Sequence, residues 1–201
     1  MNKQIIHDAL VLTAFTLVLG LILGLVYGIT KPRIDAADLA AKQEAFQAVF
    51  EDAASFNEVD FDADKAAELM AAGGFSDTID DVEEALDASG NILGYVINVT
   101  AKDGSQGSIT FSVGIKADGT VNGYSITDIS ETPGLGMKAK DESFYSQFQN
   151  KKVEEFVVVK TTPAADNEIE TISGSTITSK AMANGCNAAI YYFNNALGGA
   201  Q

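Results

Sequence analysis

Residues 92–129 read ILGYVINVTAKDGSQGSITFSVGIKADGTVNGYSITDI. Asp103-Gly104 and Asp118-Gly119 stand between runs rich in β-branched and aromatic residues, which is the strongest short hairpin signal a sequence carries. Tyr95, Ile97 and Val99 fall at every second position, as do Ile109, Phe111, Val113 and Ile115. A period of two puts those side chains on one face, so each strand buries one side. Ser89-Gly90 marks a further turn upstream. The pattern predicts strands at Val82–Asp87, Ile92–Ala101, Ser108–Lys116 and Thr120–Ile129, joined as an antiparallel meander.

Helical signals flank the meander, which makes the fold class α+β. Downstream, a polar helix is expected around Asp141–Asn150 and a strand at Phe156–Val159. Met182, Cys186, Ala189, Ile190, Phe193 and Leu197 then follow helical spacing, and Gly198-Gly199 supplies a stop. Upstream, Ile34 to about Ala54 reads as a juxtamembrane helix, with Leu39, Phe46, Val49 and Phe50 near helical intervals. Ser55 to Asp81 is acidic, with a short helix around Lys65–Ala72. Asp60, Asp62 and Asp64 imitate the opening of a calcium loop. The match fails at the sixth position, Lys65 in place of Gly, and at the twelfth, Ala71 in place of Glu. A solvated acidic surface is the reading there.

Further upstream, Ala9 to Thr30 runs 22 residues without a charge. At about 1.5 Å per residue it covers roughly 33 Å, enough for a ~30 Å hydrocarbon layer. A signal peptide would have a shorter apolar region and a small-residue cleavage site. This run ends instead in Lys31-Pro32-Arg33, so it reads as an uncleaved anchor. Gly20, Gly24 and Gly28 form a flat stripe suited to close approach of another membrane helix, although glycine is also common in spans generally. Lys3 flanks one end and Lys31 and Arg33 the other, so charge leaves the orientation open.

Composition removes several function classes. The chain has 201 residues, 13 Lys+Arg, 28 Asp+Glu and a formal net charge of −15, which argues against nucleic acid. Residues 34–201 alone carry 10 basic and 27 acidic side chains, a net −17. The single Cys186 excludes an intrachain disulfide, a Cys-rich metal site and an iron–sulfur cluster. His7 is the one histidine, so the rest of the chain has no imidazole for acid–base work or metal binding. Redox chemistry must therefore come from an added organic cofactor.

Two loops carry the remaining signal. Glu131-Thr132-Pro133-Gly134-Leu135-Gly136 follows the last meander strand. Pro-Gly is a type II turn pair, and the glycines permit close approach to something flat. Glu131 and Thr132 suit polar ring edges and Leu135 an aromatic face; a plain strand-to-helix turn fits the same residues. The second loop, Ser173-Gly174-Ser175-Thr176-Ile177-Thr178-Ser179, leads into the C-terminal helix. Hydroxyls and glycine at a helix start suit an anion, and equally an ordinary N-cap.

Taken together, the anchor, the meander, the ETPGLG loop and the SGST loop resemble the G-subunit family of the Rnf electron-transport complex. They are also similar to the C subunit of the sodium-pumping NADH:quinone reductase. In that family the last Thr of an Asp-x-x-Ser-Gly-Ala-Thr motif is esterified to the phosphate of FMN by a separate flavin transferase. The matching stretch here is Glu170-Thr171-Ile172-Ser173-Gly174-Ser175-Thr176. Glu170 stands for Asp and Ser175 for Ala, the acceptor hydroxyl is kept at Thr176, and Thr178 offers a second hydroxyl nearby. The resemblance implies covalent FMN on Thr176, with Glu131, Thr132, Gly134, Leu135, Gly136, Ser173, Gly174, Ser175 and Thr178 around it. It implies no catalytic or metal-binding residue of the chain's own.

On this reading residues 1–33 are the anchor, with the span at about 9–30. Residues 34–81 form a helical and acidic segment, and 82–201 an FMN-binding α+β domain. The resemblance further implies a single-pass membrane subunit with its soluble domain outside the cytoplasm. Its partners would be the other membrane subunits of an Rnf-type complex, which couples ferredoxin oxidation and NAD reduction to Na+ or H+ transport. The main rival is a membrane-anchored binding or scaffold module without a cofactor. A free-standing flavin reductase is weaker, because no nicotinamide-binding glycine fingerprint follows any strand.

Overall fold

The computed structural model describes residues 3–198, and backbone contacts divide the chain between Ala41 and Lys42 into two compact units. Helix α1 runs Lys3–Val49 and contains Pro32. Sequence reading sets an anchor apart from a juxtamembrane helix at Ile34–Ala54; the structure joins them and ends the helix at Val49. Proline at this point removes a single N–H, the one that would have reached the Gly28 carbonyl. The helix is long and apolar enough to cross a membrane, and its most apolar stretch buries nothing within the chain. Thr13 and Thr30 donate to the carbonyls of Ala9 and Val26, at 2.8 and 2.9 Å, so their hydroxyls are satisfied inside the helix.

The second unit is built on one antiparallel sheet: β1 (Ser55–Glu58), β2 (Thr78–Leu86), β3 (Ile92–Ala101), β4 (Ile109–Lys116) and β5 (Val121–Ile129), in that order. The meander expected from the Asp-Gly turns is present, with Tyr95 opposite Ile115, Ile97 opposite Val113 and Val99 opposite Phe111. β1 has no counterpart in the sequence pattern. Four residues with one half-buried side chain carry too weak an alternation to stand out in an acidic stretch.

Each face of the sheet has its own cover. Val82, Ile97, Val99, Phe111 and Val113 form the main core with α2 (Ala63–Gly73) and α4 (Thr176–Ala196). The opposite face buries Ala85 and Val96 against Phe46, Val49 and Phe50. Asp62 is the N-cap of α2, accepting from the Lys65 N–H at 3.1 Å, so the aspartate that imitates a calcium loop serves to start a helix.

The expected polar helix at 141–150 is replaced by short pieces: a 3-10 turn at Gly136–Lys140, α3 (Glu142–Tyr145) and a second 3-10 turn at Ser146–Phe148. Phe148 is the reason for the irregular path. It is fully buried, with Tyr124, Phe144 and Phe156 packed around it at ring separations of 4.9–5.5 Å. The strand expected at 156–159 appears as β6 (Val157–Val159), paired in parallel with β7 (Glu168–Glu170), a strand the sequence does not announce. α4 ends at Ala196 rather than at the glycine pair; Gly198 follows with φ +93, and Gly199 lies outside the described residues. Cys186 on α4 is completely buried, and burial pushes its thiol well above the ordinary range.

Candidate functional site

β5 delivers the chain into the first loop. Leu135 N–H donates to the Thr132 carbonyl at 3.1 Å, with Pro133 and Gly134 at the centre of the turn and Gly134 at φ +76. This is the type II turn that Pro-Gly predicts. Met137 N–H also reaches the Thr132 carbonyl, at 3.2 Å. The 3-10 turn that follows is held by the buried Tyr124, whose hydroxyl donates to the Ala139 carbonyl at 2.7 Å. Thr132, Pro133, Gly134 and Leu135 are exposed.

The second loop leaves β7 and turns at Gly174, φ +79, before α4 begins at Thr176. Ser179 fixes its shape. Its hydroxyl donates to the Ser175 carbonyl at 2.9 Å and accepts from the Ile172 N–H at 2.9 Å and the Thr171 hydroxyl at 3.2 Å. Ser175 occupies the N-cap yet makes no side-chain capping bond, so the N–H groups of the first turn have no side-chain acceptor from it. Ser175 is buried, Ser173 and Gly174 are exposed, and Thr176 is half-buried.

The fold brings the two loops into contact. A methyl built on Gly174 would lie 3.1 Å from Leu135 Cδ2. One on Gly136 would lie 2.5 Å from Glu131 Oε2 and 2.8 Å from Thr178 Oγ1. Glu131 is buried, and its Oε1 accepts from the backbone N–H groups of Ser105 and Gln106 at 2.5 and 3.2 Å. Half of this carboxylate is therefore spent on the β3–β4 turn, which becomes a third wall of the site. Nothing at Ser105 or Gln106 announces this in the sequence, because their backbone groups, not their side chains, make the contact. Ser179 likewise reads in the sequence only as part of a hydroxyl-rich helix start.

Two further features set the local chemistry. Lys138 and Lys140 follow the first loop in sequence, and Lys180 stands one helical turn beyond Thr176, in a unit that is acidic overall. Thr178 is fully buried, and among the described residues its Oγ1 is the one buried side-chain oxygen or nitrogen without a hydrogen-bond partner.

Residues 104–191, from the β3–β4 turn to within five residues of the end of α4, match the FMN-binding domain family. Residues 1–49, which include α1, match the RnfG N-terminal region. The chain is 34% identical over 201 residues to the G subunit of the Na(+)-translocating ferredoxin:NAD(+) oxidoreductase complex of Acetobacterium woodii, covering 96% of this chain and 93% of that one. It is 30% identical over 188 residues to the proton-translocating counterpart from Clostridium ljungdahlii, covering 94% and 91%. The crystal structure of NqrC from Shewanella oneidensis superposes with a TM-score of 0.48 at 21% identity, over 56% of this chain and 57% of that one. The N-terminal-region match, the FMN-binding-domain match and the near full-length similarity to these relatives converge: this chain belongs to the G-subunit family of the ion-translocating ferredoxin:NAD(+) oxidoreductase complexes.

Proposed function

We propose that this chain relays electrons within a membrane complex that couples ferredoxin:NAD oxidoreduction to ion transport, and that it carries FMN esterified through its phosphate to Thr176. The observation that carries the reading is the position of Thr176: a half-buried hydroxyl on the first residue of α4, beside uncapped N–H groups and next to the ETPGLG loop. When bound, the flavin supplies the electron-carrying chemistry that no side chain of this domain can provide.

The residues present suit such a group. At Gly136 and Gly174 the two loops approach more closely than a larger side chain would let them, Thr178 holds an orphaned buried oxygen, and the start of α4 offers N–H donors to an anion. Thr178 is the second hydroxyl that the sequence offers beside Thr176. Its Oγ1 is sealed from solvent whereas Thr176 is half-exposed, which supports Thr176 over Thr178 as the acceptor. Glu131, Thr132, Gly134, Leu135 and Gly136 form the opposing wall, with Ser173 and Gly174 beneath Thr176.

Covalent attachment answers a charge problem. A free flavin phosphate is nearly dianionic and is repelled by residues 34–201, of net −17, whereas a phosphodiester carries about −1 and has no dissociated state. The start of α4 then stabilises the remaining charge by about 0.3–1 kcal/mol, and Lys180 adds to it. In the proposal α1 is a single-pass anchor beside the complex's other membrane subunits, and residues 42–201 lie outside the cytoplasm. The Acetobacterium and Clostridium relatives are assigned different ions, sodium and protons, so their names do not select one for this chain.

Co-expression with a flavin transferase should add the mass of one FMN less one water and give in-gel flavin fluorescence. Thr176→Val should abolish both while leaving the circular dichroism spectrum unchanged. Fluorescence that survives in Thr176→Val moves the attachment elsewhere. A colourless wild-type chain of unmodified mass leaves a tethered binding module instead.

A further inference from the structure

The stretch 170–176 departs from the family pattern at Glu170 and Ser175, and neither of those side chains shapes it. Glu170 is exposed, and Ser175 makes no capping bond. The backbone is held instead by one side chain at each end. At the entry it is Gln147, on the second 3-10 turn. Backbone groups along a strand alternate between its two edges. The Asn167 carbonyl and the Thr171 N–H are bonded to Val157 and Val159 of β6, each at 2.9 Å, so Glu170 turns its own pair to the other edge of β7. No strand pairs with that edge, and the Gln147 amide stands in for one. Its Oε1 accepts from the Glu170 N–H at 2.7 Å and its Nε2 donates to the Glu170 carbonyl at 3.3 Å. Nε2 also donates to the Ser143 carbonyl at 3.4 Å, and the next residue, Phe148, is fully buried, so this amide stands on a fixed support. At the exit it is the buried Ser179, whose hydroxyl spends its donor on Ser175 and its acceptor sites on Ile172 and Thr171. Between the two, the Ser175 N–H closes a turn on the Ile172 carbonyl at 2.9 Å.

We propose that Gln147 and Ser179 are positioning residues for flavin attachment: they hold residues 170–175 in the shape that presents the Thr176 hydroxyl to a flavin transferase. The enzyme then reads the shape of the loop, which is why the letters at 170 and 175 are free to differ. This rests on the attachment reading above and adds the residues that make the acceptor usable. In the transfer, Thr176 Oγ1 bonds to the flavin-side phosphorus of a flavin dinucleotide. The pyrophosphate bond breaks, the nucleoside monophosphate leaves with the electron pair, and the hydroxyl proton goes to solvent. Gln147 and Ser179 act on this step by keeping the loop formed. A chain whose loop is formed only part of the time has its apparent KM raised by the reciprocal of that fraction, while the rate at saturating chain is unchanged.

Full-length wild type, Gln147→Ala and Ser179→Ala in micelles provide the test, by two measurements. The first is amide hydrogen exchange of peptides covering residues 168–176, on chains made without transferase. Gln147 is half-buried and on the surface side of its turn, so Gln147→Ala keeps the fold and is the variant that decides. Its loop should exchange about five to ten times faster than in wild type, with β3 and β4 unchanged. The second is the initial rate of FMN mass gain with transferase and a flavin dinucleotide, at varied chain concentration. The KM for the chain should rise by about the same factor and kcat should hold. Ser179→Ala should shift both readings in the same directions. Wild-type exchange in the loop of Gln147→Ala overturns the proposal, and so does faster exchange there with an unchanged KM. Faster exchange of Gln147→Ala throughout the sheet overturns it as well, because the effect then lies in the fold at large. If wild type itself gains no mass, the attachment reading fails first and this proposal falls with it; a wild type that gains the mass beside a Gln147→Ala with unaltered KM sinks this proposal alone.

Discussion

Gly136 is the residue on which the site's geometry turns. Its α-carbon sits against Glu131 and Thr178, with room for a hydrogen and no more. Gly136→Ala forces the first loop off α4 or off the β3–β4 turn, because neither the Glu131 side chain, held by two backbone N–H groups, nor the buried Thr178 can retreat freely. The expected cost is about 1–3 kcal/mol in denaturant unfolding, as for other overpacked sites, together with a lower yield of flavin attachment by intact mass. Undiminished stability and full attachment would show that the loop is slack here. Little of this contact is legible in the sequence. The motif letters mark Gly136 and Thr178 as neighbours of a cofactor, but an unpaired oxygen and a carboxylate bound to backbone 25 residues away have no signature in residue type or spacing.

Among the elements, the end of α1 is joined to the sheet by a partly buried polar network. Lys42 Nζ lies 2.7 Å from Asp81 Oδ2 and 3.0 Å from Glu83 Oε1, and Asn98 donates to both carboxylates while accepting from Ser112 at 2.5 Å. Burial, and next the charge of Asp81, push the Glu83 carboxyl up from 4.5 to about 7; Lys42 opposes the shift without cancelling it. Glu58 stands opposite Glu83 on β1 and adds no cation. Between those two values the folded chain holds a proton that the unfolded chain has released, so stability present near pH 5 is lost as the pH rises through 7. Urea unfolding should show a fall of about 1–3 kcal/mol from pH 5 to pH 8, and Glu83→Gln should flatten that slope. The same slope in Glu83→Gln would assign it to another group. The meander itself is readable because each Asp-Gly pair sits between strands of strict alternation. β1 and β7, with four and three residues, are recruited by their neighbours and leave no such trace. Pro32 misleads in the other direction, since a helix lacking one internal hydrogen bond still continues.

For the whole molecule, the boundary between Ala41 and Lys42 bears on what can be isolated. The residues that cover the second sheet face, Phe46, Val49 and Phe50, lie after it, and so does Lys42. A chain lacking residues 1–33 keeps all of them and loses the apolar stretch. It should purify without detergent, with a melting temperature within a few degrees of the full chain in micelles, as read by circular dichroism. Aggregation of this shortened chain would mean that the apolar stretch supports the fold of the rest.

The state of Cys186 has a practical outcome. The molecule's sole sulfhydryl is enclosed by α4 and the sheet and is held in its protonated, unreactive form. Maleimide dyes and nitroxide spin labels will therefore pass over the native polypeptide while it stays folded. Any cysteine introduced on the outer surface becomes the single address for a probe, and spectroscopic distances to a chosen point can be collected without first engineering a thiol-free background.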